Sequence, residues 1–488
     1  MKSIRSRDTV LNGAGVLLAL IAAAACGLAV SMDSLALAVA IPVIILGAPL
    51  LRFVDAGVFV GFALVMANNA LVGVNLANFS LSGAVNGTDL AFLALLGCAL
   101  LRSLSRPAAP PRHPIPRLLI IWSLAFLTLW CVCWIRALDA GTSYLHALSA
   151  GRDFLFFGLT LPFASSLIKT DDELRHLCAV VGALSVLFAG ADIAGTLGLA
   201  SPTIANALLT LSQGSLTRIY NSSSYLLELT FSASVAYALL SDFPRARVAS
   251  FVAGVTGIAL ILTLTRALYI AVPIALLVTL AAWALGQGSA HRLLRRRLLA
   301  TAAVAAALGT ALLVAAPATF TSGPIGTIAT RASSSTSAFA SASLATSTVA
   351  YRQRLDSLML QTLGNHWPVG LGFLSAQDTY FVDLPKGELR NSDVGIVNAL
   401  VTMGIVGSVL LYLPPLWLVC ALLRRARWRA RQYSYLWMGG AIWLLIALIA
   451  SITLDNLVSV SGLATIAVGI GVLSTRLDTS FERRTSPG

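Results

Sequence analysis

Residues 118–135, LLIIWSLAFLTLWCVCWI, decide the fold class of this chain. They form a run of 18 residues without a charged side chain, and arginine stands on both sides of it, at Arg117 and Arg136. A helix of this length is about 27 Å long, which matches the hydrocarbon thickness of a bilayer. The run therefore predicts a transmembrane helix.

Similar apolar runs recur along the whole chain. With 488 residues, 57% hydrophobic and 11% charged, the protein has too little polar surface to be a soluble globule. The runs predict an all-α polytopic membrane protein with about 12–14 transmembrane helices. The predicted spans are 11–31, 34–51, 56–78, 88–101, 118–135, 153–168, 177–197, 222–241, 248–264, 267–285, 299–317, 394–420, 434–454 and 457–475.

Lys and Arg are divided very unequally between the two sides of the predicted bilayer. With the N-terminus in the cytoplasm, roughly 24 of them lie at cytoplasmic ends and roughly nine lie on the opposite side. This excess predicts that both termini are cytoplasmic. The minority on the opposite side consists of Arg136, Arg152, Arg218, Arg266, Arg331, Arg352, Arg354, Lys386 and Arg390.

The predicted spans divide the chain into three parts. Residues 1–317 form the N-terminal membrane helices, and residues 394–488 form the C-terminal helices with a short cytoplasmic tail. Residues 318–393 form one large outer loop, periplasmic in a Gram-negative bacterium, and loops of this size usually carry function. Within it we expect an amphipathic helix near Tyr351–Met359, followed by a turn rich in glycine and proline at 365–373.

The basic residues indicate lipid contact and membrane topology. The formal charge of +13 is spread over cytoplasmic loops, so we predict anionic-lipid contacts and no nucleic-acid partner. The six cysteines lie within predicted spans, and Cys131 and Cys133 have no His or carboxylate nearby in the sequence. We therefore predict neither a disulfide framework nor a metal site, and no cofactor.

Two arginines lie close to the predicted outer surface. Arg218 stands in LTRIYN, residues 216–221, and Arg266 stands in TLTRA, residues 263–267, at a bend between two spans. An arginine at membrane depth costs about 2.5–3.5 kcal/mol on insertion scales, so it faces a partner or a cavity. One interpretation is an anchor or an internal salt bridge, for example with Glu228 or Asp192. The other is recognition of phosphate by the guanidinium fork.

The loop and its junction with the next span offer further candidates. Arg352 and Arg354 lie on the expected loop helix, where a spacing of two residues points them in different directions. Asp393 follows Ser392 as either a helix N-cap or a carboxylate that takes a proton from a hydroxyl. His366 is interpreted as a loop residue contacting backbone or Trp367, in preference to a catalytic base.

Four motifs, in this order and topology, resemble one known family. They are TLTR at 263–266, YRQR at 351–354, PVGLG at 368–372 and GIVG at 404–407. Together they are similar to the O-antigen ligases and Wzy-type polysaccharide polymerases. The resemblance covers about residues 200–415 and implies a bacterial inner-membrane protein.

The resemblance implies a glycosyltransferase that works without a metal. Its substrate would be an undecaprenyl-pyrophosphate-linked glycan taken from the membrane lipid, and a chain-length regulator protein would be a partner. Arg218 and Arg266 would stabilise the pyrophosphate leaving group, and Asp393 would orient or deprotonate the acceptor hydroxyl. The expected substrate-binding residues are Arg352, Arg354, Arg390, Tyr220 and His366.

At one position this chain departs from the ligase branch of the family. Ligases carry a His-Asn dipeptide where this chain has Asp393 and Val394, and the sequence SDVG at 392–395 looks like the polymerase branch. A ligase that transfers finished glycan to lipid A core remains an alternative. A lipid-linked-oligosaccharide flippase is another, although the chain lacks the paired broken spans of two similar halves that a transporter should show. A structural scaffold would not need arginines at such depth.

Overall fold

A computed structural model gives the architecture of most of the middle and C-terminal regions. The predicted spans 11–31, 34–51 and 299–317 lie outside the residues that the structure describes. Those residues are 55–76, 87–104, 114–164, 167–207, 209–213, 216–221, 223–241, 245–286, 327, 348–373, 394–426, 434–452, 462–463 and 465–474.

Helices account for most of the described chain, and one short β-hairpin interrupts them. The elements are α1 Ala56–Ala67, α2 Gly87–Leu104, α3 Pro114–Asp139, α4 Tyr144–Ala164, α5 Asp171–Thr196, β1 Leu209–Gln213, β2 Leu216–Tyr220, α6 Ser224–Leu240, α7 Arg245–Leu262, α8 Arg266–Gly286, α9 Thr348–Leu363, α10 Gly395–Ala426, α11 Ser434–Ala450 and α12 Thr465–Ser474. Two short 3₁₀ segments cover Pro202–Ala205 and Gly364–His366.

Five of the described helices, α3, α5, α7, α8 and α10, are long and apolar enough to cross a membrane. Large apolar side chains on their outer faces are exposed, including Ile121 at 64%, Leu124 at 60% and Val248 at 67%. A soluble protein would carry polar residues at such positions, whereas lipid tails cover them without cost. The chain is therefore a mainly helical membrane protein, as predicted.

The helices form two cores that share α11. One core lies among α1, α5, α6, α8 and α11 and contains Phe188 and Leu226. The other lies among α3, α4, α10 and α11 and contains Phe126 and Phe157. Because α11 packs against α6, α8 and α10, the two cores belong to one bundle.

The first described helix is shorter than its apolar run. The predicted span 56–78 is wrong in its length, because α1 ends at Ala67 and two fully buried asparagines follow. Asn68 donates through Nδ2 to the Leu64 carbonyl at 2.8 Å and to Thr465 Oγ1 at 2.9 Å. Asn69 adopts a positive φ of 51°. These amides satisfy backbone groups where the helix stops, so the chain can turn inside the bundle.

α1 and α5 begin side by side, and side chains cap both helices. Asp55 accepts hydrogen bonds from the N–H groups of Gly57 and Val58, and its other oxygen lies 3.1 Å from Nδ1 of His176. Partial burial raises the pKa of Asp55, but the His176 contact and the two backbone hydrogen bonds outweigh burial and lower it overall. Thr170 caps α5 in a reciprocal box with Glu173.

Candidate functional site

A two-stranded antiparallel hairpin carries Arg218 and Tyr220. The strands pair in a register that sets Leu209 opposite Tyr220 and Leu211 opposite Arg218. This hairpin is a small addition to the all-α architecture that the sequence predicts. Apolar runs do not reveal it, since two five-residue strands between long helices carry too weak a pattern.

The hairpin packs on the ends of α5 and α7. Leu216 is buried with Leu262 and Leu264 in a small cluster, where Ile193 of α5 joins them. Ile219 is 5% exposed and lies directly against Gly195, leaving no room for a Cβ there. These contacts fix β2 against two helix ends and so set the position of Arg218.

The side chain of Arg218 hydrogen-bonds to the C-terminal end of α7. It is 9% exposed, and its Nε donates to the carbonyl of Thr263 at 3.0 Å. One terminal nitrogen lies 3.4 Å from Oγ1 of Thr265. The last carbonyls of a helix have no partner within the helix and attract a cation. Arg218 therefore brings a permanent positive charge to this junction.

Arg266 begins α8 at the same junction. Leu264, fully buried with a φ of 52°, makes the tight turn between α7 and α8, and Thr265 links that turn to Arg266. Arg218 contacts Thr263 and Thr265 on this turn. The backbone thus places the two arginines predicted as a pair on neighbouring elements. For Arg266 and Tyr220 the structure describes the backbone only.

Neither carboxyl suggested for an internal salt bridge pairs with Arg218. Within the described residues, Asp192 accepts a hydrogen bond from Nδ2 of Asn221 at 3.1 Å. Glu228 is fully buried on α6, and neither of its oxygens has a hydrogen-bond partner in the described part of the protein. The internal salt bridge with these two residues is therefore not observed for Arg218. For Arg266, whose side chain lies outside the described part of the structure, it stays a prediction, as does anion recognition by Arg218.

A second junction forms where the turn at 367–373 meets α10. The helix α10 breaks at Gly404, which has φ 66° and ψ −168°, so backbone groups on both sides of the break need new partners. The turn supplies them through backbone alone, and we call this arrangement the clasp. Its hydrogen bonds run from Ile405 N to Trp367 O (2.8 Å), Val406 N to Pro368 O (3.1 Å), Leu371 N to Val401 O (2.7 Å) and Gly372 N to Thr402 O (3.0 Å).

Glycine is required on both sides of the clasp. The conformation of Gly404 belongs to a region that only glycine enters readily. A Cβ on Gly404 would lie 2.5 Å from the backbone of Gly370 and Pro368. Gly370 has a φ of 74°, and its Cβ would lie 2.6 Å from Met403 N. The motifs at 368–372 and 404–407, separate in the sequence, are thus in direct contact.

The clasp is anchored in the bundle by Phe373. This ring is 1% exposed and lies between Trp130 of α3 and Phe154 of α4, with centroid distances of 5.5 and 5.8 Å. Its N–H donates to the carbonyl of Cys133 at 3.4 Å. Phe373, which lies within the loop predicted for 318–393, is therefore inserted among helices. The sequence did not reveal this, because a lone Phe after a Gly-rich turn has no periodic pattern.

His366 lies beside the clasp and contacts an arginine of α3. Its Nδ1 is 2.7 Å from a terminal nitrogen of Arg136, and the pair is exposed. A guanidinium only donates, so Nδ1 accepts and the neutral ring carries its proton on Nε2. The side chain of His366 thus has a partner, Arg136, that was not expected. The expected contact with backbone is present through the His366 carbonyl, which accepts from Gly370 N at 2.8 Å.

The expected loop helix is confirmed as α9, which carries Arg352 and Arg354. Its buried residues Met359 and Leu363 pack with Leu371 and Val401 at the clasp. For Arg352 and Arg354 the structure describes the backbone only. Two further candidates, Arg390 and Asp393, lie outside the described residues.

Comparison with known proteins does not assign a family or a function to this site. A scan against protein-family models finds no match, and neither does a search of curated protein sequences. No group of three or more His, Cys, Asp or Glu that could hold a metal ion occurs among the residues whose structure is described. The family resemblance therefore depends on the four motifs and their placement.

Proposed function

We propose that the protein is a membrane glycosyltransferase that polymerises undecaprenyl-pyrophosphate-linked repeat units into exopolysaccharide, capsule or O-antigen. The observation that carries the proposal is the arginine junction: Arg218 is buried against Thr263 and Thr265, and Arg266 begins the next helix. An arginine is always charged, and its planar fork matches phosphate oxygens. A charge kept at such a position supports binding of a lipid-borne phosphate ester.

The reaction needs stabilisation of a leaving group and removal of one proton. The acceptor hydroxyl oxygen attacks the anomeric carbon of the donor, and the bond from that carbon to the pyrophosphate breaks. The pyrophosphate leaves with the bonding electrons, and Arg218 and Arg266 stabilise its growing charge. The hydroxyl proton passes to the carboxylate of Asp393.

The clasp supports the role given to the loop. Through Phe373 and the backbone bonds to α10, it ties the end of α9 to the helix bundle. A helix anchored in this way can hold Arg352 and Arg354 in a constant position. His366 and Arg136 lie beside the same anchor and offer further contacts to an anionic glycan lipid.

Deletion of the gene, followed by gel analysis of lipid-linked glycans, tests the reaction. Accumulated single repeat units are expected for a polymerase. Long polymer that is not attached to lipid A core would identify a ligase instead, and loss of outward-facing repeat units would identify a flippase. An unchanged glycan profile would contradict all three assignments.

Complementation with arginine variants tests the site. Arg218→Ala should reduce polymer yield on the order of 10²-fold, as loss of one transition-state donor does, and Arg218→Lys should restore little because the fork is lost. Arg175→Ala is the matched control, since Arg175 is 71% exposed on α5 and pairs with Asp172. Normal polymer from both Arg218→Ala and Arg266→Ala at normal protein levels would disprove the phosphate-binding role.

A further inference from the structure

Two polar side chains on one face of α6 are buried without partners. Glu228 and Ser232 are both 0% exposed, and within the described chain neither the carboxyl oxygens nor the hydroxyl has a hydrogen-bond partner. Residues four apart on a helix are neighbours. The two groups therefore lie next to each other on α6, whereas the buried hydroxyl of Thr230 on the same helix is satisfied by Ser185 of α5.

Among the described residues, no hydrogen bond or ion pair joins Glu228 to a cationic side chain of the helices that pack against α6. Helix α5 contributes Asp192, which is bonded to Asn221, and α7 carries its charged residues, Arg245 and Arg247, at the opposite end of the helix pair. The sequence of α11 contains no Asp, Glu, Lys, Arg or His. All three helices pack against α6. A carboxylate at Glu228 would thus be a buried charge without a hydrogen-bond partner in the described part of the protein.

Such a charge would be very costly. An isolated carboxylate in an apolar environment costs many kcal/mol, and proteins avoid this cost by keeping the group protonated. The neutral acid needs one acceptor for its O–H, and the hydroxyl of Ser232 can accept or donate after a side-chain rotation. Ser232 can therefore serve the carboxyl in either protonation state.

We propose that Glu228, assisted by Ser232, is a proton-binding site inside the membrane part of the protein, and that it holds its proton in the resting state. Ca²⁺ and Mg²⁺ fit the position poorly, because each takes six or more oxygen ligands. Glu228 and Ser232 together supply three side-chain oxygens. Acidic residues within membrane helices mark functional positions by default. This inference does not rest on the proposed glycosyl transfer.

Labelling with an apolar carbodiimide tests the proposal on the intact protein in its native membrane. A protonated carboxyl adds across one C=N bond of the reagent and rearranges to a stable N-acylurea, with no group lost. We expect mass spectrometry of peptides to find the adduct at Glu228, with labelling that falls as the pH rises. A water-soluble carbodiimide should not label this residue.

Two controls make the result specific. Glu228→Gln resembles the protonated acid and should keep the thermal stability of the wild type while losing the label, and Asp192→Asn should leave the label at Glu228 unchanged. Absence of the apolar adduct, equal labelling by the water-soluble reagent, or a clear loss of stability in Glu228→Gln would each overturn the proposal. Protection by NaCl at constant pH would overturn it in favour of a metal-cation site.

Discussion

The arginine junction and the clasp both supply hydrogen-bond partners to interrupted helical backbone, but with different chemical groups. In both, helical backbone is interrupted, at Leu264 between α7 and α8 and at Gly404 within α10. The clasp satisfies its interruption with neutral backbone groups of a neighbouring turn, whereas the first junction uses the charged side chain of Arg218. Neutral backbone groups are enough to satisfy an interrupted helix, as the clasp shows. The arginine adds a charge, and this difference directs the functional proposal to the first junction.

The largest effect should come from removing the anchor of the clasp. Phe373→Ala deletes a fully buried ring and should cost about 3–5 kcal/mol of stability. Thermal unfolding in detergent measures the loss. Phe251→Ala on α7, where the ring is 64% exposed, is the matched control and should change little. Equal effects of the two substitutions would show that Phe373 does not anchor the loop.

The next effect should come from the break in α10. Gly404→Ala places a Cβ against Gly370 and Pro368 in a conformation that alanine avoids, and should cost on the order of 3 kcal/mol. Gly254→Ala on α7, where a Cβ meets open space, is the control and is measured in the same unfolding assay. If Gly404→Ala stabilises the protein, α10 is continuous and the clasp is wrong.

A smaller effect on stability is expected at the arginine junction. Arg218→Ala leaves the Thr263 carbonyl without its donor and should cost about 1–3 kcal/mol. Arg218→Lys should recover part of this stability but little of the polymer yield, because a lysine keeps the charge and loses the fork. Parallel recovery of both quantities would contradict the proposed difference between the two junctions.

The smallest effect concerns Asp55, where α1 and α5 begin side by side. The folded pKa of Asp55 lies below its ordinary value of 3.8, so its stabilising contribution is present above that pH and is lost as the pH falls through the folded pKa. Asp55→Asn keeps a capping oxygen but removes the charge, so its thermal stability should depend less on pH in that acid range. Asp172→Asn, at a carboxylate that is 75% exposed, is the control. Identical pH profiles for wild type and Asp55→Asn would refute the effect.

Much of the helical architecture was predictable from local pattern. The span predicted at 222–241 is observed as Ser224–Leu240, and the one predicted at 267–285 as Arg266–Gly286. The loop helix was also expected, and α9 confirms it. Helix ends that depend on distant partners were less predictable, as at Ala67, where Asn68 bonds to Thr465, almost 400 residues away in the chain.

The candidate site was predictable in its residues but not in its contacts. Arg218 and Arg266 stand out in the sequence because charges are rare near membrane spans. The hairpin that holds Arg218, and its bonds to Thr263 and Thr265, follow no local pattern. The buried carboxyl of Glu228 is a similar case, since only packing shows that it has no hydrogen-bond partner among the described residues.

The sequence by itself determined that this is a helical membrane protein and where most of its helices run, because bilayer thickness and backbone hydrogen bonding act on every apolar segment separately. Only the tertiary structure decided where α1 stops, that α10 breaks at Gly404, and that Arg218 closes α7. Each of these depends on hydrogen bonds between groups far apart in the chain, which form only when the helices have packed.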